Sequence, residues 1–399
     1  MATELPLMTE VVDRFRHEQP LADTAVMVTG HFLTDLAHLV ECLAALGAPL
    51  NNMTVLQKDY AYQWRHRIHG HLRDRGVHVL PVSDVRTALI QHTERARIAG
   101  LRCVGLDDGG YLTPELTGEL RKLASQWAGV VEQTMSGIYK LEGLEDNIPF
   151  PVFSVAQSRL KGRIESYWIA DKAVSTALSL LPPVKVEGQT ALVIGYGNVG
   201  EQVTKALTAR RMRVAVHDAD ILRLIDAHEN GHVTARNINR LLDDHRPLLV
   251  FGATGRTSMA GDQFRRLRRD CFLASVTSRD TEFDLTALDA LAIGERVVSR
   301  GARSFRLPNG TVVTVLAGGR PVNFYETDSI SNLHSDLVYA GILIGARALA
   351  EPQVPGISPQ WADQVLESSG LLEDYYHLYG PEAEADRRSS PFKSARNEL

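Results

Sequence analysis

Short continuous apolar runs alternate with stretches of helical periodicity along most of this chain. The first runs are Ala25-Val26-Met27-Val28-Thr29-Gly30, Met53-Thr54-Val55-Leu56, Val77-His78-Val79-Leu80 and Cys103-Val104-Gly105-Leu106-Asp107-Asp108. A strand buried on both faces reads as such a run, whereas a half-exposed strand alternates polar and apolar. Between the first two runs, Thr34 to Leu46 carries apolar residues at helical spacing and stops at Gly47, and Leu7 to His17 has the pattern of an amphipathic lead-in helix. Strands alternating with helices predict a parallel sheet. A second series starts at Ala191 and includes Leu248-Leu249-Val250-Phe251-Gly252 and Cys271-Phe272-Leu273-Ala274-Ser275-Val276, ending near Ala317. From Arg163 to Leu181 a long helical pattern ends on Pro182-Pro183, a natural boundary, and the apolar helical stretch from Leu337 to Ala350 is expected to return to the first domain. The pattern predicts an α/β protein with two doubly wound parallel-sheet domains. One spans residues 1–183 and is completed by 333–370; the other spans 184–332; a tail covers 371–399.

Composition narrows the partners. The chain has 399 residues, 44% of them hydrophobic, enough for two cores. A formal net charge of −5, with both signs interspersed, gives no reason to expect nucleic acid or an anionic membrane as partner. Arg265, Arg266, Arg268 and Arg269 read as a solvated helix face. Cys42, Cys103 and Cys271 lie far apart in apolar surroundings without metal or disulfide spacing, as buried thiols in a reducing compartment would. Residues 1–19 are polar and charged rather than signal-like, and the longest apolar run, Leu337 to Ile344, is too short to span a bilayer, so the cytoplasm is the expected location. On composition alone, Pro381 to Leu399 is a disordered tail.

The densest chemistry lies at the start of the second series. Ala191 to Ile194 is a strand, Gly195-Tyr196-Gly197-Asn198-Val199-Gly200 is a G-x-G-x-x-G turn, a helix follows, and Arg213 to His217 is a second strand running into Asp218. Gly195 permits the tight turn, Gly197 lets backbone approach a pyrophosphate, and Gly200 lets the helix pack close to the strand. The helix N-terminus, including Asn198 and Val199, offers free N–H groups to phosphate. Asp218 stands 23 positions beyond Gly195, where a carboxylate accepts the ribose hydroxyls of NAD and repels the extra phosphate of NADP. The second domain is therefore expected to be a Rossmann domain with NAD as cofactor. No metal site is expected.

Leu106-Asp107-Asp108-Gly109-Gly110-Tyr111-Leu112-Thr113 resembles the L-D-D-G-G-x-L-T run of the S-adenosylhomocysteine hydrolase family. The resemblance runs from Pro6 to Lys393. It takes in His31 in the first strand-to-helix turn, Glu132-Gln133-Thr134-Met135-Ser136-Gly137 at an E-E-T-T-T-G run, Lys161, the glycine turn, Gly319-Arg320-Pro321-Val322-Asn323 and Pro391-Phe392-Lys393. Taken singly, Lys161 would be a surface lysine, His31 a turn histidine and Asp108 a turn aspartate; their matched order and spacing give them roles. The resemblance implies an enzyme with tightly held NAD that oxidises a ribose 3′-hydroxyl, eliminates a 5′ thiolate, adds water and reduces the ketone again. It makes Lys161 the base at the 3′-hydroxyl, assisted by Glu165, and puts His31 and Asp108 at the 5′ end. Thr134, Ser136 and Asn323 would hold the nicotinamide end of NAD. Lys393 would reach the cofactor of a neighbouring subunit, which implies a homo-oligomer, dimer or tetramer.

The departures cluster. Gln133 replaces the second carboxylate of E-E-T-T-T-G, and Glu165-Ser166 stand where the family has D-N after its lysine. Thr277-Ser278-Arg279-Asp280 replaces G-H-F-D, so Ser278 stands for a histidine. Leu33 takes the place of the threonine in H-x-T, and Phe324 to Asp328 replace a longer gate loop. Positions that hold NAD are mostly kept, while positions that hold adenosine and its hydroxyls are mostly changed. Unmatched buried polar groups cost roughly 1–3 kcal/mol each, so ordinary S-adenosylhomocysteine is expected to be a poor substrate. The leading expectation is an NAD-dependent adenosylhomocysteinase-like enzyme that oxidises a secondary hydroxyl of a nucleoside-like substrate, with or without elimination and hydration. The alternatives are a true S-adenosylhomocysteine thioether hydrolase and a non-catalytic NAD-binding regulatory protein.

Overall fold

The computed structural model describes residues 5–59, 65–277, 281–298, 301–325 and 332–381. The chain forms two compact units, Met1–Lys161 with Asn332–Leu399, and Gly162–Ser331.

In the first unit, β1 (Thr24–Gly30), β2 (Thr54–Gln57), β3 (His78–Pro81), β4 (Arg102–Asp107), β5 (Trp127–Glu132) and β6 (Pro151–Ser154) build a parallel sheet. The second unit contributes β7 (Thr190–Ile194), β8 (Arg213–His217), β9 (Val233–Thr234), β10 (Leu249–Gly252), β11 (Cys271–Ser275), β12 (Gly294–Val298), β13 (Ala302–Arg306) and β14 (Val312–Val315). A short β15 (Gly356–Ile357) then joins the first sheet beside β6.

The first sheet runs β15-β6-β5-β4-β1-β2-β3 and the second β12-β13-β14-β11-β10-β7-β8-β9. Each contains the same doubly wound order, its first strand flanked by its second and its fourth. The strand order reverses between β1 and β4 in one sheet and between β7 and β10 in the other. At such a reversal the connections leave in opposite directions, and a crevice opens beyond the carboxyl ends of the strands. The buried runs explain the strands: all of β1 and all of β5 are buried, as sheets covered by helices on both faces require.

The parallel reading needs one correction at the edge of the second sheet, where β13 pairs antiparallel with both β12 and β14. The Ser166–Leu180 helix, read from sequence as the end of the first domain, belongs to the second unit. Its Ala170, Ala173, Val174 and Ala177 pack in one core with Val193, Val203 and Leu207, which places the division at 161 rather than 183. The tail also starts later than 371, because Leu371–Tyr379 is helical with Leu371 fully buried. The three cysteines are buried and unpaired, and burial pushes each thiol up to about 12. Among the described residues no helix is long and apolar enough to cross a membrane.

The Pro6–Phe15 helix opens on Leu5, whose side chain cannot cap it. Asp336 supplies the cap from the far end of the sequence, accepting from Leu7 N at 2.8 Å and Met8 N at 2.9 Å, and Tyr379 donates its hydroxyl to the same carboxylate at 2.5 Å. One fully buried carboxylate thus ties the lead-in helix to the Leu371–Tyr379 helix. Asp336→Ala leaves two buried amides and the part-buried Tyr379 hydroxyl without this acceptor and is expected to lower the unfolding free energy of this unit by roughly 2–4 kcal/mol in urea titration.

Candidate active site and cofactor turn

In the first unit the site is built at the carboxyl ends of β1, β2, β4 and β5, on either side of the strand-order reversal. Thr29, the penultimate residue of β1, donates its hydroxyl to Asp107 Oδ1 at 2.6 Å and accepts from Asp108 N at 2.7 Å. Asp107 Oδ2 takes the N–H groups of Tyr111 and Leu112 at 2.8 and 2.7 Å, which closes the Asp-Asp-Gly-Gly turn. Glu132, at the end of β5, accepts from Gly109 N, Gly110 N, Thr134 N and the Thr134 hydroxyl at 2.8–3.3 Å. Two glycines make this possible. A Cβ on Gly137 would fall 2.1 Å from the Glu132 carboxyl carbon, and a Cβ on Gly110, at φ +64°, would fall 2.7 Å from Gly137 Cα. Burial pushes Glu132 well above the usual carboxylate range, with Asp107 adding to it, and burial pushes Asp107 up as well.

The two turns hold out Asp108 and His31. His31 follows β1, and its Nε2 lies 3.5 Å from Asp108 Oδ2. Sequence reasoning missed the third member. Lys58, directly after β2, lies 2.6 Å from Asp108 Oδ1 and 3.5 Å from His31 Nε2, with only 5% of the residue exposed. The available signal was its place just beyond a predicted parallel strand, the edge where such sheets bind ligands. Burial lowers His31 to about 4; the Lys58 cation acts in the same direction and outweighs the opposing Asp108. Burial would raise Asp108, but Lys58, His31 and Lys161 together bring it below the ordinary range. At neutral pH the group therefore reads as ammonium, carboxylate and neutral imidazole. Because the folded state resists protonating His31, its contribution to stability is present above about pH 6.5 and is lost as pH falls through about 4.

Lys161 lies close enough to Asp108 to depress it, and a π-helical turn spans Lys161–Glu165, with the two side chains four positions apart. That turn opens the long helix that the sequence places at Arg163. Leu33 is the N-cap residue of the Thr34–Ala45 helix, and Gln133 follows β5. Thr134 caps the Met135–Tyr139 helix by accepting from Gly137 N at 3.0 Å, and Ser136 lies in its first turn. Lys140 reaches back to the carbonyls of Gly109 and Gly110 and lies 4.1 Å from the Tyr111 ring centre. A small cavity beside this edge is lined by Thr29, Asp107, Asp108, Gln133 and Tyr339, among others.

In the second unit, β7 stops at Gly195, whose φ of +99° only glycine adopts readily. A Cβ on Gly200 would fall 1.9 Å from the Gly195 carbonyl oxygen, so the helix can begin this close only without one. Gly197 precedes the Asn198–Ala209 helix, which opens with Asn198 and Val199 and leaves its first N–H groups facing the turn. Asp218 follows β8; its two oxygens accept from Tyr196 N at 2.6 Å and Asp220 N at 2.8 Å, which fixes the carboxylate against the turn. The glycine cradle, helix terminus and fixed acid suit a dinucleotide with unphosphorylated ribose hydroxyls. Asn323 is buried in the short turn Val322–Phe324. Glu282, fully buried, accepts from Thr254 N and Gly255 N at 2.8 and 2.7 Å and shapes the loop after β10, another carboxylate the sequence reading did not mark. Ser278 and Lys393 lie outside the described residues.

Fold and site together define an α/β protein with an NAD-binding unit and a second unit carrying a buried acid–base cluster. Residues 171–328 match the family model of the NAD-binding domain of S-adenosyl-L-homocysteine hydrolase. The chain is similar to an S-inosyl-L-homocysteine hydrolase of Methanosarcina mazei, 24% identical over 93% of this chain and 91% of that one. A second protein of that name, from Methanopyrus kandleri, is 23% identical over 92% and 88%. An adenosylhomocysteinase of Sulfolobus acidocaldarius is 25% identical over 84% and 79%. Among solved structures, the A chain of dipicolinate synthase from Bacillus subtilis aligns with a TM-score of 0.47 at 11% identity, covering 82% of this chain and 97% of that one. The chain is thus similar to S-adenosyl-L-homocysteine hydrolases at about one-quarter identity, and NAD is its cofactor.

Gly200→Ala is expected to abolish NAD binding in calorimetric titration and to lower the thermal midpoint of the second unit, since the turn must open by more than an ångström to admit the methyl group.

Proposed function

We propose that this chain carries out an NAD-dependent reaction on a nucleoside-like substrate, oxidising a secondary, 3′-type hydroxyl and restoring it after loss of a 5′ substituent. One observation carries the reading: His31, partly buried, and Asp108, buried, meet beyond the switch-point strands of one unit in a chain whose other unit matches an NAD-binding domain. NAD supplies a reversible hydride acceptor. Lys161 takes the proton from the hydroxyl oxygen, with Glu165 on the same turn assisting. His31, neutral, accepts and returns a proton on the side of the 5′ substituent, and Asp108 orients it. Thr134, Ser136 and Asn323 hold the nicotinamide end, with Gly195, Gly197, Asn198, Val199, Gly200 and Asp218 holding the remainder. Gln133, Leu33 and Ser278 line the substrate; the amide of Gln133 donates as well as accepts, unlike the carboxylate it replaces, and Leu33 offers only apolar surface. A homo-oligomer belongs to this reading through Lys393.

A second reading has support of its own. Two relatives that align over more than nine-tenths of this chain are named S-inosyl-L-homocysteine hydrolases, which favours a homocysteine thioether of a nucleoside whose base differs from adenine.

Both readings face one experiment: single-turnover mixing of the NAD-loaded protein with S-adenosyl- and S-inosyl-homocysteine and with free nucleosides, following NADH absorbance and thiol release. At least one compound is expected to raise NADH, and thiol release with S-inosyl-homocysteine selects the second reading. Lys161→Ala should retain NAD yet slow the absorbance change by roughly 100-fold or more. Absence of NADH with every compound overturns the proposal.

A further inference from the structure

We propose that Lys58 is a positioning residue of this site: its ammonium, held between Asp108 and His31, fixes Asp108 as the ionised partner and His31 as the neutral one, so that His31 enters the reaction as a proton acceptor. The inference rests on the proposed use of His31 at the 5′ substituent, and it concerns a residue that the sequence motifs leave unmarked.

The geometry is a closed triangle. Lys58 Nζ stands 2.6 Å from Asp108 Oδ1, His31 Nε2 stands 3.5 Å from Asp108 Oδ2, and Lys58 Nζ stands 3.5 Å from His31 Nε2. Residues 31, 58 and 108 come from the loops after β1, β2 and β4, so the triangle exists only because these strands are neighbours in the sheet. The side chains of Lys58 and Asp108 are only 7% and 6% exposed, too little for water to stabilise either charge alone. With Lys58 and Asp108 paired, a proton added to His31 would place a second cation 3.5 Å from the ammonium, and only one carboxylate oxygen remains to compensate. The surrounding charges do not alter the balance. Asp107 and Glu132 are satisfied by backbone donors and the hydroxyls of Thr29 and Thr134; Lys140 is bound to the carbonyls of Gly109 and Gly110; Lys161, like Lys58, acts to lower Asp108. Tyr111, whose ring centre is 5.9 Å from Lys58 Nζ, presents its face to the cation.

The pair also separates two tasks. A carboxylate and an imidazole sharing one proton could exchange roles as donor and acceptor during turnover. A permanent cation on the carboxylate withdraws Asp108 from that exchange and leaves His31 as the single group in the triangle able to take up a proton.

NMR titration of the imidazole signals, with the His31 resonance identified by its loss in His31→Gln, tests the inference on the free protein without any substrate. The wild-type midpoint is expected near 4. In Lys58→Met, Asp108 remains and the midpoint should rise above that of wild type, while burial continues to hold it down; Lys58→Arg, which keeps the cation, should stay close to wild type. Lys58→Met leaves Asp108 buried and unpaired, so the double variant Lys58→Met/Asp108→Asn, which removes both charges, provides the reading if the single variant does not fold; its midpoint should lie above wild type. A wild-type midpoint near 6.5, or variants lacking the cation that titrate like wild type, overturns the inference. Where turnover is measurable, the acid limb of the kcat profile should move to higher pH in Lys58→Met and return in Lys58→Arg, a change that a purely structural lysine would not produce. Absence of turnover in the wild type counts against the proposed function, while the titration still decides the role of Lys58.

Discussion

The first unit of this protein depends on how three carboxylates are kept at the buried end of one sheet. Asp107, Asp108 and Glu132 are each less than 5% exposed, and ionised groups so placed are tolerated only when paired or richly hydrogen-bonded. They are compensated in two different ways. Asp107 and Glu132 collect backbone N–H groups and hydroxyls, and in doing so they fold the 108–112 and 132–137 loops against each other. Asp108 has a lysine instead. The first two thereby become structural, and the third is left facing the histidine. The glycines at 110 and 137 follow from the same requirement, because no side chain fits between the Glu132 carboxylate and the N–H groups that neutralise it.

Much of this was legible in the sequence, and the limits follow from physics. Buried parallel strands announce themselves as apolar runs, so β1, β2, β4, β7, β10 and β11 were found close to where they stand. The glycine turn and Asp218 were legible because backbone geometry restricts the residue types there. The antiparallel β12 and β13 were not, since an edge hairpin buries less and its polar residues, as in Ala302–Arg306, break the apolar run. The Ser166–Leu180 helix was assigned to the wrong unit because its alanine-rich face says that it packs closely without saying against what. Lys58 was invisible for a related reason. A lone lysine after a strand is ordinarily solvent-exposed, and only the sheet order, which brings β2 beside β1 and β1 beside β4, reveals that three separate loops share one point.

The two units carry the same strand order and differ in what they place at the reversal. In the second, the groups gathered there are mostly backbone: a positive-φ glycine, the N–H groups of a helix terminus and one aspartate pinned by two amides. Backbone donors survive substitution so long as glycine stays where a Cβ cannot fit. Such a site can hold one cofactor across wide sequence divergence, which accords with a family match confined to residues 171–328.

In the first unit the groups gathered at the reversal are side chains, and each can be exchanged separately. Under the proposed function, Gln133 in place of a carboxylate and Leu33 in place of a hydroxyl would each change what a bound sugar or base meets, without touching the strands beneath. The carboxylates that build the loops are under a different constraint: replacing Glu132 would release four donors, and replacing Asp107 three. Exchange is therefore cheaper at side chains that stand out from the edge than at those that shape it. The Asp108–His31 pair itself rests on groups of both kinds, the turn that Asp107 closes and the side chains that surround it. Lys58 is such a side chain: it stands 2.6 Å from Asp108 and 3.5 Å from His31 and takes no part in the hydrogen bonds by which Asp107 and Glu132 shape the loops.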